Sequence, residues 1–324
     1  MPRHQQELFV TLDTLVSQDH PYRKFEGLLD FKILSQGLKD LYSDKGRPEL
    51  GAERSFCMLV LQFLEDVSDR EMERLMEENL AAKWFCGFSL SDKTPDHSYF
   101  GSFRKRLGTK RLMDIFNQLR TRLQSAGLIR EVFTFVDASQ LISKLSTWDD
   151  RDQAIKKGLE KFNNKTAAKV AVDKQARFGA KAKNKFWYGY KEHVSVDMQS
   201  GLINKVAATP ANVDDAKGLA HVCPRQGAVY ADKGYCTAPA QVELKRRQCH
   251  SGVIKKNNMQ GKDRDKDRWL SQIRAPYERV FSKRPKHTRY RGQAKVQFQV
   301  TMNAICHNLK RLIKLEIPQG CLMG

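Results

Sequence analysis

The sequence predicts a chain in two parts: an all-helical amino-terminal part, then an α/β part in which helices flank a mixed sheet. Three observations carry this. Apolar residues recur at helical spacing up to about residue 130. After Arg130, short β-prone runs replace that period. Those runs then form a hairpin pattern followed by strands alternating with helices. A length of 324 residues suits two domains, and an apolar share of 40% is enough to bury a sizeable core. The expected divisions are 1–130, 131–316 and a short tail, 317–324.

In Ala52 to Asp66, the residues Phe56, Leu59, Val60, Phe63 and Leu64 share one helical face. Ser68 and Glu71 have capping-box spacing and open a helix bearing Met72, Leu75 and Met76. Thr94-Pro95 reads as a further helix start. From Thr109, Leu112, Ile115, Phe116, Leu119 and Leu123 define a helix that Gly127 closes. Short helices with tight turns suit a helix-turn-helix-like DNA-binding module, with Arg104, Lys105 and Arg106 as phosphate contacts. A plain helical bundle has the same periodicity.

Beyond Arg130, Val132 to Val136 is a short strand ending at Asp137, and Gln140 to Lys185 reads as a long polar excursion with partial helix. His193 to Val196, the turn Gln199-Ser200-Gly201 and Leu202 to Ala208 form a hairpin. Ala228 to Ala231 is a strand ending at Asp232. A helix through Val242 and Leu244, a strand at Gly252 to Ile254 and a long helix from Phe298 to Ile313 complete the chain.

The net charge is +20, and its distribution is uneven. Residues 1–130 hold 20 basic and 19 acidic side chains, leaving nearly all of the excess to the second part. Within that part, 245–295 carries 17 basic and 4 acidic side chains. Lys and Arg neutralising phosphates dominate nucleic-acid affinity, so the expected partner is a polyanion. A generically solvated basic surface is the plainer alternative. No apolar stretch approaches the ~20 residues that span a bilayer, and no leader follows Met1, so a cytosolic protein is expected. Seven scattered cysteines do not form a disulfide framework. His221, Cys223, Cys236, Cys249 and His250 lie close in sequence, but at spacings that fit no zinc finger.

Asp137 and Asp232 each follow an apolar run and precede a small residue or a turn. Two such carboxylates in a basic protein predict a cluster whose mutual repulsion a cation relieves. Carboxylate oxygens are hard donors, which points to Mg²⁺ or Mn²⁺. Two such ions at one site serve phosphodiester chemistry. Glu278 is the preferred third acid, because Pro276 suits a first helical position and would place Glu278 in the positive first turn. Asp197, Asp215, Glu192 and Glu243 are its rivals. Lys191 and Lys233, beside the strand ends, are expected to contact phosphate. His193 is an accessory candidate near the site, though a satisfied structural histidine is the stronger reading.

These residues resemble a family. Gly46-Arg47-Pro48, Ser68-Asp69-Arg70 and Pro95-Asp96-His97 come first; Tyr188-Gly189-Tyr190-Lys191, Thr209-Pro210-Ala211-Asn212 and Asp232-Lys233-Gly234-Tyr235 follow. In that order they are similar to the Asp-Asp-Glu transposases of bacterial insertion sequences, in the insertion-sequence-five (InsH-like) branch, over about residues 20–315. The resemblance implies a ribonuclease-H-like catalytic fold with Asp137, Asp232 and Glu278 as ligands of two ions. The related signature Y-x2-R-x3-E-x6-K is met at Arg274 and Glu278, while Ser271 and Pro285 hold its first and last positions. Lys283, Arg284 and Lys286 flank Pro285 and are the substitutes for its lysine.

The resemblance also implies a double-stranded DNA substrate, at least a dimer on DNA, and a bacterial cytoplasmic, nucleoid-associated setting. The expected activity is cleavage of the element ends, followed by attack of the freed 3′-hydroxyls on target DNA. The rivals are a metal-dependent nuclease of the same fold and a catalytically inactive DNA-binding descendant. Retention of all three acids weighs against the inactive form, and a strand-transfer assay separates the nuclease.

Overall fold

A computed structural model describes residues 10–28, 30–41, 50–144, 164–182, 185–257, 259–282 and 284–317. Gly46-Arg47-Pro48 and Lys283 therefore lie outside the described residues, as does much of the expected polar excursion. Contacts divide the chain into two compact units, one comprising residues up to Leu119 with the segment from Leu312, the other Arg120–Arg311.

The first unit is helical, as the 3.6-residue period predicts. Helices α1 (Leu12–Leu15), α2 (Pro21–Leu28) and α3 (Phe31–Leu34) lead to α4 (Ala52–Leu64), α5 (Asp69–Glu78), α6 (Leu80–Phe85) and α7 (His97–Ser125). Helix α4 is buried along nearly its whole length. Helix α5 opens with the capping box, Ser68 Oγ accepting from the Glu71 amide and Glu71 accepting from the Ser68 amide. The cap of α7 is Asp96, whose Oδ1 accepts from the Ser98 amide at 2.8 Å, and not the expected Thr94. A single capping carboxylate next to the helix displaced the Thr-Pro start by two residues. Gly108, at φ 67° and ψ 164°, breaks α7 just before Thr109. Gly127, at φ 70°, closes it, with the Leu128 amide donating to the Leu123 carbonyl.

The second unit is built on a six-stranded sheet. Its strands are β1 (Phe133–Ile142), β2 (Arg177–Ala182), β3 (Lys185–Asp197), β4 (Ile203–Pro210), β5 (Ala228–Ala231) and β6 (His250–Val253). Strand β3 runs antiparallel to β1 on one side and to β2 and β4 on the other. Strands β5 and β6 then extend the sheet parallel to β1. An antiparallel β1–β3–β4 meander continued by two parallel strands, with helices packed on it, is the ribonuclease-H-like arrangement. The helices of this unit are α8 (Asn164–Val170), α9 (Asp215–Val222), α10 (Ala238–Arg246), α11 (Arg264–Ser282) and α12 (Gln293–Lys314).

Two expectations are corrected here. Strand β1 does not stop at Asp137 but runs five residues further, paired with β3 throughout. The polar residues after Asp137 masked the strand because its backbone bonds come from β3 and not from local propensity. Helix α11 begins at Arg264, so Pro276 lies inside it and Glu278 sits near its carboxyl end. The helix dipole there is negative and does not favour Glu278. Pro276 also cannot donate to the Gln272 carbonyl, which weakens the helix just before that acid.

His193 is fully buried between β4 and α9, its Nε2 2.8 Å from Thr209 Oγ1. A Cβ at Gly218 would lie 2.1 Å from the imidazole, so α9 packs directly on the ring. Burial lowers the His193 pKa to about 3, helped by the charges of Lys191 and His221. The folded state thus holds a neutral ring, whereas the unfolded chain protonates near 6.5. Stability attached to this group is complete above about pH 6.5 and falls as pH drops toward 3, by about 1.4 kcal/mol per pH unit. Unfolding free energies should show wild type losing its advantage over His193→Gln between pH 7 and pH 5. A constant difference would mean that His193 does not titrate on unfolding.

Candidate active site

Strands β1 and β5 pair in parallel, with Phe133 opposite Ala228, Thr134 opposite Val229 and Phe135 opposite Tyr230. Continuing that register by two residues sets Asp137 beside Asp232. Adjacent strands lie ~4.8 Å apart, and residues of equal parity face the same way. Burial, reinforced by the charges of Asp232 and Asp215, raises the Asp137 pKa to about 6, while an amide bond from Ala138 (2.8 Å) and the charge of Arg274 oppose the rise. Two carboxylates from distant segments thus share one electrostatic site.

Asp232 leaves β5 and caps a 3₁₀ turn, Lys233–Tyr235, with Oδ1 accepting from the Gly234 amide at 2.8 Å. A Cβ at Gly234 would come within 2.9 Å of that oxygen, so glycine permits the close approach. Lys233 projects into solvent from the turn, and Tyr235 points inward and is fully buried.

Glu278 stands apart. Its side chain is 60% exposed, and Arg274 on the same helix lies 3.7 Å away. Arg274 is buried over the Phe135 ring, 5.4 Å from the centroid, and so ties α11 to β1. Among the described residues, no three of His, Cys, Asp or Glu gather closely enough to hold a metal ion. The donor chemistry of Asp137 and Asp232 fits a hard divalent cation, and Glu278 is not gathered with them.

Three of the four rival acids are occupied elsewhere. Asp197 closes the β3–β4 turn, with Oδ1 accepting from the Gln199 and Ser200 amides at 3.0 and 2.9 Å. Glu243 pairs with Arg246 at 2.7 Å and Arg247 at 3.0 Å on α10. Glu192 is buried against Arg284. Asp215 alone reaches the site, from the first turn of α9, and its charge acts on Asp137. Sequence reasoning held Asp215 only as a rival. Its Asp-Asp pair before a small-residue helix was the available signal.

The expected phosphate contacts separate into two groups. Arg284 is 5% exposed and holds both Glu192 oxygens, so it is a structural cation. Lys191 is largely buried, donates to the Val213 carbonyl at 2.9 Å and sits 2.8 Å from Asp215. Arg104 grips Asp69 with two bonds of 2.6 and 2.7 Å, and Arg106 lies over the Tyr99 ring, 5.9 Å from its centroid. Lys105, Lys233 and Lys286 are exposed. The difference is tertiary: the cations of the first group are held by a partner that the fold brings to them, Glu192 for Arg284, Asp215 for Lys191, Asp69 for Arg104 and the Tyr99 ring for Arg106.

An open cleft of about 910 Å³ begins at Asp232 and Lys233 and runs past Arg274 and Glu278. Lys255, Lys262, Arg264 and Arg268 line it, so the start of α11 presents basic side chains beside the acids. Sequence reasoning placed this charge in 245–295 without locating it at the site.

Two family models match the chain, a "Transposase domain (DUF772)" over residues 10–106 and a "Transposase DDE domain" over 152–309. Together they account for most of the sequence, and the second contains Asp232 and Glu278. The chain is a DNA transposase of the Asp-Asp-Glu type. Both matches agree with an insertion-sequence transposase. Asp137 lies between the two matched segments. Among solved structures, the transposase is similar to a piggyBac transposase in a synaptic complex with hairpin DNA, at 8% identity and a TM-score of 0.44, over 92% of this chain and 75% of that one. Among the described residues, no helix of the transposase is long and apolar enough to cross a membrane.

Proposed function

We propose that this transposase cuts at the ends of its own insertion sequence and joins the freed 3′-hydroxyls to target DNA. Asp137 and Asp232 are the paired carboxylates of the reaction, and Glu278 joins them once DNA fills the cleft. The observation that carries the reading is the β1–β5 register, which sets Asp137 beside Asp232 within a transposase chain. Glu278 lies two residues beyond Pro276, where α11 is weakest, so its carboxylate has the freedom to turn inward.

Asp137, Asp232 and Glu278 would hold Mg²⁺ or Mn²⁺, two ions per site. When bound, such ions activate an attacking oxygen and stabilise a leaving oxygen. The protein's own groups orient the strand: Lys233, Arg274 and the basic start of α11 meet phosphates on either side of the acids, and exposed Lys286 extends that path. No covalent protein–DNA bond is needed, so no Ser or Tyr nucleophile is assigned. Holding two ends for one joining event requires at least a dimer on DNA. Residues 1–130, nearly neutral overall, serve end recognition, with exposed Lys105 facing the backbone. The order of its motifs supports assignment to the insertion-sequence-five branch, and with it a bacterial cytoplasmic, nucleoid-associated setting.

A strand-transfer assay tests the reading. A labelled duplex ending in the element's 3′-hydroxyl should become covalently joined to a target plasmid. Cleavage without joining would make the protein a nuclease. The cleft supplies a second test. Replacing Lys233, Arg264 and Arg268 together by Ala should weaken DNA binding, and should lower the slope of log affinity against log salt by roughly one for each lost contact. An unchanged slope would move the DNA path elsewhere.

A further inference from the structure

The apolar layer beneath the acids explains how they converge. Val136, Ala216 and Ala231 are each the chain neighbour of one of Asp137, Asp215 and Asp232, and all three are buried in one cluster with Tyr235. A strand interior, a helix start and a strand end therefore rest on the same core. Tyr235 is fully buried in it, yet its hydroxyl has no hydrogen-bond partner. An unpaired buried donor is unfavourable, and native structures rarely leave one without a reason.

A complementary vacancy lies close by. Asp215 Oδ1 is also buried, and no hydroxyl or amide donates to it. Lys191 Nζ is 2.8 Å away as an ion pair, but its hydrogen bond goes to the Val213 carbonyl. Among the charged groups acting on the Tyr235 phenol, Asp215 acts most strongly, ahead of Asp137 and Asp232. Helix α9, which begins at Asp215, packs on the turn that holds Tyr235. One group lacks an acceptor, and its strongest charged neighbour is a carboxylate oxygen that has the Lys191 ion pair beside it and capacity for a further donor.

We propose that Tyr235 is a positioning residue whose hydroxyl donates to Asp215 Oδ1 in the working enzyme. The chain Tyr235–Asp215–Lys191 then links the turn after Asp232 to β3, which pairs along β1 beside Asp137. It fixes the separation of the two reacting carboxylates without touching DNA. This rests on the active-site reading above.

The test uses the full-length transposase and a supercoiled plasmid carrying its gene with the flanking DNA. Single-turnover nicking, plasmid affinity and thermal midpoint are measured for wild type, Tyr235→Phe, Asp215→Asn, the double variant and Asp137→Asn. Tyr235→Phe is expected to keep its plasmid affinity and to melt within a few degrees of wild type. Its nicking should slow by about 10–100-fold, the usual effect of losing a group that orients a ligand. The double variant should be no slower than the slower single one, because both changes break the same link. Near-wild-type nicking by Tyr235→Phe overturns the proposal. So do effects that multiply in the double variant, or a large fall in its melting temperature, which would make the hydroxyl merely structural. If Asp137→Asn nicks normally, the active-site reading fails, and this inference fails with it. If Asp137→Asn is dead while Tyr235→Phe is unimpaired, only the inference fails.

Discussion

Asp137→Asn and Asp232→Asn should each lower DNA cleavage by roughly 10³-fold or more, while DNA affinity stays level or rises. Each change keeps the side chain's shape and removes one anionic oxygen donor. Asp137 is held by the pairing of β1 with β3, and Asp232 by its bond to the Gly234 amide, so neither Asn has cause to unfold the sheet. Affinity should not fall, since both changes delete negative charge from a cleft that faces phosphate. Glu278→Gln should match them if Glu278 completes the set. Glu243→Gln is the control. It loses ion pairs on α10 with Arg246 and Arg247, the former well exposed, which contribute little to stability and nothing to the site. Normal cleavage by Glu278→Gln would remove that residue from the triad and leave the aspartate pair in place. Single-turnover rates with a preformed DNA complex decide between these outcomes.

Arg284→Ala should destabilise the protein by about 3–5 kcal/mol, the usual result of stranding one partner of a buried ion pair. Glu192 is 1% exposed and accepts from Arg284 Nε at 2.9 Å and from Nη2, so removing the guanidinium leaves a buried carboxylate without its cation. Glu192→Leu combined with Arg284→Met should recover most of the loss, because no charge then remains to be desolvated. Urea unfolding of wild type and the two variants measures both effects. DNA affinity per folded molecule should change little, which would separate Arg284 from the exposed Lys286 two residues on. A marked loss of affinity in the stable double variant would restore Arg284 to the DNA path.

The amino-acid sequence by itself determined the elements whose signals are local. The α5 capping box, the Gly127 stop and the apolar face of α4 are decided by neighbours within a few residues, so their chemistry can be read in order along the chain. The β3–β4 hairpin and the choice of Asp137 and Asp232 were legible for the same reason: each acid follows a short apolar run that has little option but to be a buried strand. Charge counting also located the basic excess in the second half and pointed to a polyanion as its partner.

What only the tertiary structure decided was which charges remain available and which acids meet. Glu192, Lys191, Arg284 and His193 look equivalent to exposed neighbours in the sequence. Burial turned Arg284 and Lys191 into partners of specific carboxylates, and left His193 neutral beneath α9. Asp215 reached the site because Ala216 shares a core with Val136 and Ala231, a contact between residues about 80 positions and about 15 positions apart. Glu278 was misread locally, because Pro276 commonly opens a helix, yet here eleven residues from Arg264 onward already form one ahead of Ala275. Local preferences amount to a few tenths of a kcal/mol per residue, whereas burying a side chain or stranding a charge involves several. Where the two conflict, packing decides.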